Sequence, residues 1–213
     1  MNKTGEQISL TQRYWNIIKN GLLLFGIRNK LAQVGLDIRP YYWVQEEIFP
    51  CEEPIIKGDV FRYNVRFLNL EEIEELSKNL PKMLAQDLIV GIKNGQLCIA
   101  LEYNNEIAAF TFIELKNFVF NRKAFTLKDN EAYLLNMWTF HSFRGRNLAP
   151  YLRYKTYQLL REQGRNSKFS ITEYFNKSSI KFKKKLNSKN LMLIMSIVIF
   201  KRYYWNFLIK TYK

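Results

Sequence analysis

The sequence predicts an α+β domain: a mixed, mostly antiparallel sheet with helices on both faces, preceded by an N-terminal helical extension. Three features point there. Segments of alternating or continuous apolar character recur along the chain, interrupted by helical stripes in the order β-α-α-β-β-β-α-β-α-β-β. The paired asparagines 104 and 105 separate two strand segments, as a hairpin requires. One helical stripe, from about Pro150 to Gly164, connects two apolar segments, 132–140 and 169–175. A helical crossover of that kind joins parallel strands.

The elements follow in order. Residues 11–35 carry a loose helical stripe (Tyr14, Trp15, Ile17, Ile18, Leu22, Phe25, Leu31, Val34), broken or ended by Gly21, Gly26 and Gly35. Pro40 closes this extension, the aromatic cluster Tyr41-Tyr42-Trp43 follows, and a linker with Pro50 and Pro54 leads on. The expected boundary divides an extension and linker, 1–55, from a domain, 56–213. Residues 61–67 alternate as a half-buried strand does. Asn69 with Glu72 three residues later forms a capping box, and Pro81 ends that helix or starts the next. Leu97 to Tyr103 and Ile107 to Leu115 form the hairpin. Ala132 to Phe140 is apolar at nearly every position, as a central strand covered on both faces should be. A basic turn, the crossover helix, a strand, a short helix from about Ser178 to Leu186 and two final strands near 191–200 and 203–209 complete the chain.

Composition bounds the chemistry. With 213 residues, 47% hydrophobic and 15% aromatic, the chain has material for a sizeable core. Cys51 and Cys98 form neither a C-x-x-C pair nor a disulfide framework, and with a single histidine no metal site is expected. The apolar run 21–27 is short, lies between Lys19 and Arg28 and lacks a cleavage pattern, so it does not read as a signal peptide. The longest apolar stretch, Leu191 to Phe200, falls short of the about 20 residues of a membrane span. It reads as a buried strand, and a cytoplasmic protein is the expectation. The net charge of +14 is uneven: from Phe143 onward there are 17 Lys and Arg residues against two acids, Glu162 and Glu173. Two readings stand, a solvated lysine-rich surface or attraction for a polyanion such as a phosphorylated cofactor, nucleic acid or anionic membrane.

The turn Arg144-Gly145-Arg146-Asn147-Leu148-Ala149 is where the chemistry concentrates. It follows the strand holding Met137, Trp138 and Thr139 and opens a helix. A row of backbone N–H groups at a helix N-terminus is positively polarised and binds anions. In this context the sequence resembles the GNAT acetyltransferases, whose signature Arg/Gln-x-x-Gly-x-Gly/Ala occupies such a turn. Arg144, Leu148 and Ala149 match, and Phe143-Arg144-Gly145-Arg146 is similar to the common start of the motif. Asn147 stands at a glycine position; asparagine tolerates left-handed backbone better than most residues. A second match, Asn176-x-x-Ser179-Ile180 followed by Lys185-Leu186, is similar to the family's motif after the fifth strand, with Asn187-Ser188 replacing Gly-Phe. The resemblance covers about Phe61 to the C-terminus.

The resemblance implies direct acyl transfer from a coenzyme A thioester, acetyl-CoA by default, to an acceptor amine. Residues 144–149 and 137–139 would hold the acyl carrier, with Asn176 and Ser179 flanking its pantetheine arm. The reaction needs a polarised thioester carbonyl, a deprotonated acceptor and a proton for the departing thiolate. For the base the resemblance points to Glu131, 13 residues before Arg144, which also reads as a surface turn residue. Asn136, the one polar residue in an apolar run, reads as an orienting group or as a satisfied buried amide; Glu173 faces the same cleft if its strand is placed correctly. For the acid, many members have tyrosine where this chain has Lys183, and Tyr174 is a substitute by proximity. His141 has no triad partners. Two other functions fit the same residues: a GNAT-like binding module that holds a polyanion or protein partner through its basic C-terminal third, including Lys181 to Lys185 with Tyr203-Tyr204-Trp205, and O-acyl or aminoacyl transfer to a cell-envelope precursor.

Overall fold

The computed structural model describes residues 22–58 and 62–213, and places them around one eight-stranded sheet. The elements in chain order are α1 (Leu22–Gln33), β1 (Leu36–Glu46), β2 (Tyr63–Leu68), α2 (Leu70–Ser77), α3 (Lys82–Lys93), β3 (Leu97–Tyr103), β4 (Glu106–Glu114), β5 (Phe118–Phe120), β6 (Lys123–Phe125), β7 (Glu131–Thr139), α4 (Leu148–Glu162), β8 (Ser167–Glu173), α5 (Lys177–Lys185), β9 (Lys189–Ile199) and β10 (Tyr203–Thr211). The sheet order is β10-β9-β1-β8-β7-β4-β3-β2, and β5 and β6 form a separate small hairpin. Every neighbouring pair is antiparallel except β7 and β8, which are parallel. The mixed, mostly antiparallel sheet is therefore the predicted one. Among the described residues no helix is long and apolar enough to cross a membrane.

Local chemistry explains the elements that position the site. Asn69 Oδ1 accepts from the Glu72 N–H at 2.9 Å, while Glu72 accepts from the Asn69 N–H at 2.8 Å, closing the expected capping box. Asn104 and Asn105 take positive φ (48° and 64°), the left-handed pair of a tight hairpin turn between β3 and β4. Alternation then splits the core between the two faces. Ile99, Leu101, Ala109, Ile113, Ala132 and Leu134 pack against Leu148, Leu152, Tyr157 and Leu160 of α4. Cys98, Ala100, Phe110 and Phe112 pack against Ile73 and Leu88 of α2 and α3.

The N-terminal part corrects the predicted organisation. Residues 36–46 are not part of a helical extension. They form β1, inserted between β8 and β9, so the structure shows no domain boundary at residue 55. The expected helical stripe is described only from residue 22; its earlier members, Tyr14, Trp15, Ile17 and Ile18, lie outside the described residues. Pro40 does not break the strand, because its carbonyl accepts from Tyr174 N–H at 3.0 Å just beyond the end of β8. The carbonyl and nitrogen of one strand residue face the same neighbour, so the absent N–H falls where β8 ends and the proline forfeits at most the last bond of that ladder. Tyr41 and Trp43 are buried core, and Trp43 stacks on Phe125 (4.7 Å) and Phe169 (5.2 Å).

At the end of β1 lies a buried ion cluster. Glu46 faces Arg153 of α4 (3.5 Å) and Lys183 of α5 (3.2 Å), and Tyr157 donates to it at 2.5 Å. Lys183 Nζ also donates to Ser170 Oγ and Thr172 Oγ1 of β8, both at 2.6 Å. Burial pushes the Glu46 carboxyl up, but Arg153, Lys183 and the hydroxyls of Ser170 and Tyr157 outweigh it and hold the group at about 2. Its folded pKa is depressed, so the stability it contributes is complete above its ordinary value of 4.5 and is lost as pH falls toward 2. Glu46→Gln leaves two buried cations facing a neutral amide. It should lower unfolding free energy by about 3–5 kcal/mol in urea titrations at pH 7. It should also flatten the loss of stability of the native chain on acidification below about pH 4.5.

Candidate active site

The parallel pair is a fork. β7 and β8 are in register only over Glu131–Tyr133 and Ser167–Phe169. Beyond Phe169, β8 pairs with β1 alone, through Ser170↔Val44 to Glu173↔Tyr41. The β8-facing edge of β7 from Leu134 to Thr139 is thus left without a strand partner. β7 is also bulged. Leu135 opposes Phe112 and Trp138 opposes Phe110, so Asn136 and Met137 stand against Thr111 alone. Asn136 takes φ 49°, and Thr111 Oγ1 donates to the Leu135 carbonyl at 3.1 Å. The bulge turns Leu135 and Asn136 into one cleft of about 520 Å³ that straddles the fork on the side of α3 and the β5–β6 hairpin. Glu173, Arg39, Asp87 and Tyr133 also line it.

The basic turn stands at the open end of the fork. A short 3₁₀ turn, His141–Phe143, precedes it. Gly145 takes φ 83° and Asn147 takes φ 66°, ψ 25°, both left-handed. With Pro150 in the first turn of α4, the backbone N–H groups of residues 145–149 donate to no acceptor among the described residues. Five consecutive free donors at the N-terminus of a 15-residue helix form an anion cradle. Arg144 Nε donates to the Thr139 carbonyl (3.1 Å), and Arg146 Nη1 reaches the Tyr63 hydroxyl (3.4 Å). Both guanidiniums are therefore braced beside the cradle.

The linker crosses this end of the molecule. Asn147 Nδ2 donates to the Ile55 carbonyl at 2.8 Å, and Lys57 N–H donates to the Arg146 carbonyl at 3.0 Å. Asn187, the second asparagine at a family glycine position, also takes positive φ (55°), and its Nδ2 reaches the Pro50 carbonyl at 3.1 Å. Both departures from the GNAT pattern thus keep the left-handed backbone and add a tether for residues 50–55. A second cleft, of about 510 Å³, opens between that linker, Asn147, Pro150 and Lys185–Asn187.

The structure brings Asn136, Met137, Trp138, Thr139 and residues 144–149 to the open end of the fork. Asn176 and Ser179 start α5 directly after β8; Asn176 Oδ1 accepts from Ser179 N–H at 3.0 Å and so caps that helix. Two expected groups do not join them. Glu131 lies at the closed end of the fork, where its carboxylate accepts from Lys128 N–H at 3.0 Å and fixes the turn into β7. Tyr174 packs on Tyr42 of β1, ring centroids 5.5 Å apart, on the side of β8 away from β7. Lys183, at the tyrosine position, is buried in the ion cluster, so residues 181–185 do not present one continuous exposed basic face. Sequence reasoning missed Arg39 and Asp87, which carry no local signal and meet the cleft only through tertiary packing. Among the described residues no three of His, Cys, Asp and Glu are grouped to hold a metal.

Comparison of the whole fold places it. Neither family models nor curated protein sequences match this chain. Solved structures do. A GNAT-family acetyltransferase from Colwellia psychrerythraea superposes with a TM-score of 0.55 at 13% identity, over 79% of this chain and 59% of the other. A GNAT-family protein from Novosphingobium aromaticivorans gives 0.53 at 15%, over 77% and 66%. A tandem GNAT protein from the clavulanic acid biosynthesis pathway gives 0.54 at 10%, over 83% and 55%. This chain spans roughly 55–66% of the length of these three neighbours. The chain has the GNAT superfamily fold.

The tether makes Asn147 testable. Asn147→Gly keeps the left-handed backbone and loses one hydrogen bond, costing about 1 kcal/mol. Asn147→Ala loses the bond and also strains a left-handed position, costing about 2–3 kcal/mol in total. Chemical denaturation of the two variants should rank them in that order.

Proposed function

We propose that this protein transfers an acyl group, acetyl by default, from coenzyme A to an amine acceptor by direct attack on the thioester. The observation that carries the reading is the row of five unpaired N–H groups at the mouth of a fork between parallel strands. The residues fit the acyl carrier. The cradle with Arg144 and Arg146 would take the diphosphate, and Asn147 leaves it accessible because its amide is turned to Ile55. The free edge of β7 at Met137–Thr139 would take the pantetheine arm, flanked by Asn176 and Ser179. The cleft beside Asn147 and Pro150 would take the nucleotide part.

The acceptor enters from the other face, in the cleft lined by Asn136 and Glu173. In this reading Glu173 removes the ammonium proton, and Asn136 orients the acceptor or a bridging water. Glu131 is too far toward the closed end to do so. With Lys183 engaged by Glu46 and Tyr174 turned to β1, the thiolate leaves without a dedicated acid, which its low basicity relative to an alkoxide allows.

Calorimetry with acetyl-CoA tests the first half. Arg144→Ala should weaken binding by about 1.5–3 kcal/mol; absence of any binding to the native chain would overturn the reading. Steady-state kinetics on an amine panel test the second half. Glu173→Gln should lower kcat/KM about 10²-fold or more, the scale of a general base, whereas Glu131→Gln should leave it within about 2-fold of native.

A further inference from the structure

A third cavity, polar and outside the fork, lies on the far flank of α5. It has a volume of about 430 Å³ and is walled by α5, the start of β9 and the end of β10, over Val44 of β1 and Thr172 of β8. Four lysines line it: Lys183, Lys184, Lys189 and Lys213. Ser188, Asn190, Thr172 and Tyr212 add hydroxyl and amide groups, and no Asp or Glu side chain is among the lining residues. Lys183 is ion-paired with Glu46, so the positive potential of the cavity comes from Lys184, Lys189 and Lys213, and its low-dielectric walls concentrate that field.

The floor of the cavity is a built site rather than a surface accident. Lys183 is 5% exposed and held by Ser170, Thr172 and Glu46, so its ammonium cannot swing into solvent. Beneath it the charges do not balance: Glu46 of β1 faces two buried cations, Arg153 of α4 and Lys183 of α5, with Tyr157 of α4 as a neutral donor. Burial and the Arg153 charge push the Lys183 ammonium down to about 8 against the opposing pull of Glu46.

We propose that this cavity binds a small phosphorylated molecule carrying at least two phosphate groups. Lysines act as rotatable point charges toward phosphate, and Lys184, Lys189 and Lys213, the three beside the fixed Lys183, exceed what a single monoanion requires. The volume suits a small molecule rather than a polymer. None of its lining residues belongs to the basic turn 144–149, so this site is separate from the cradle proposed for the acyl carrier and does not depend on that reading.

Inorganic pyrophosphate is the probe, titrated by calorimetry at fixed ionic strength into native protein and three variants whose folding is checked by circular dichroism. Lys184→Ala/Lys189→Ala removes two exposed cavity lysines and should weaken binding at least tenfold. Lys177→Ala/Lys181→Ala removes equal charge from the same helix outside the cavity and should change affinity less than threefold. Arg144→Ala, in the basic turn, should leave pyrophosphate binding at the cavity in place. Absence of pyrophosphate binding to the native chain, equal loss in the two lysine pairs, or loss only in the Arg144 variant would each overturn the proposal.

Discussion

The carboxylate of Glu46 is the point on which the arrangement around the fork converges. A buried charge in a poorly polarisable interior is tolerated only when it is paired and hydrogen-bonded. Glu46 draws its partners from two helices: Arg153 and Tyr157 from α4, and Lys183 from α5, itself bonded to β8. The two helices that flank the fork on this face are thereby fixed to each other and to the end of β1. The same cluster accounts for Lys183 at the position where the GNAT resemblance calls for tyrosine. Its ammonium seats α5 on the sheet through Ser170 and Thr172, a structural task that a phenol could not share with a buried carboxylate on equal terms.

The fork follows from how β8 uses its two edges. Toward β1 it is paired along six residues, and toward β7 along three. Without β1, the second half of β8 would have no strand on either side, and pairing on toward Thr139 would be its obvious recourse. β1 removes that need, and the bulge at Asn136 bends β7 so that the register with β8 is not resumed. Opening a parallel pair is therefore a property of three strands, one of which comes from the far end of the chain. The cradle is positioned by the same strand: β7 ends at Thr139, and Arg144 folds back onto its carbonyl.

Much of this was legible in the residues. The capping box at Asn69, the hairpin at Asn104-Asn105 and the crossover from β7 through α4 to β8 rest on local chemistry, which does not wait on tertiary context. The left-handed turn at Asn147 is of the same kind. β1 was not legible, because Pro40 reads as the close of the N-terminal extension and the polar Gln45-Glu46-Glu47 carries no strand signal. The first is harmless because of where β8 ends, and the second conceals a carboxylate neutralised by residues more than a hundred positions away. The site divides in the same way. The turn 144–149 opens α4 as local chemistry directs, whereas the placement of Glu131 and Tyr174 depended on which end of a strand, and which side of it, they would occupy.

The central position of β1 also has a consequence for how the chain is made. Glu47 and its partner Lys168 are 121 residues apart. At synthesis rates of about 5–20 residues per second, the N-terminal strand waits roughly 6–24 s before its neighbour leaves the ribosome. During that interval Tyr41 and Trp43 have no sheet to cover them, so the nascent chain displays an aromatic strand with both edges open. The β2–β7 half can assemble early as it emerges, but the domain closes only when its first strand is captured late between two of its last. Chaperone engagement during translation would then centre on residues 36–46, and the fork would take shape only at that final capture.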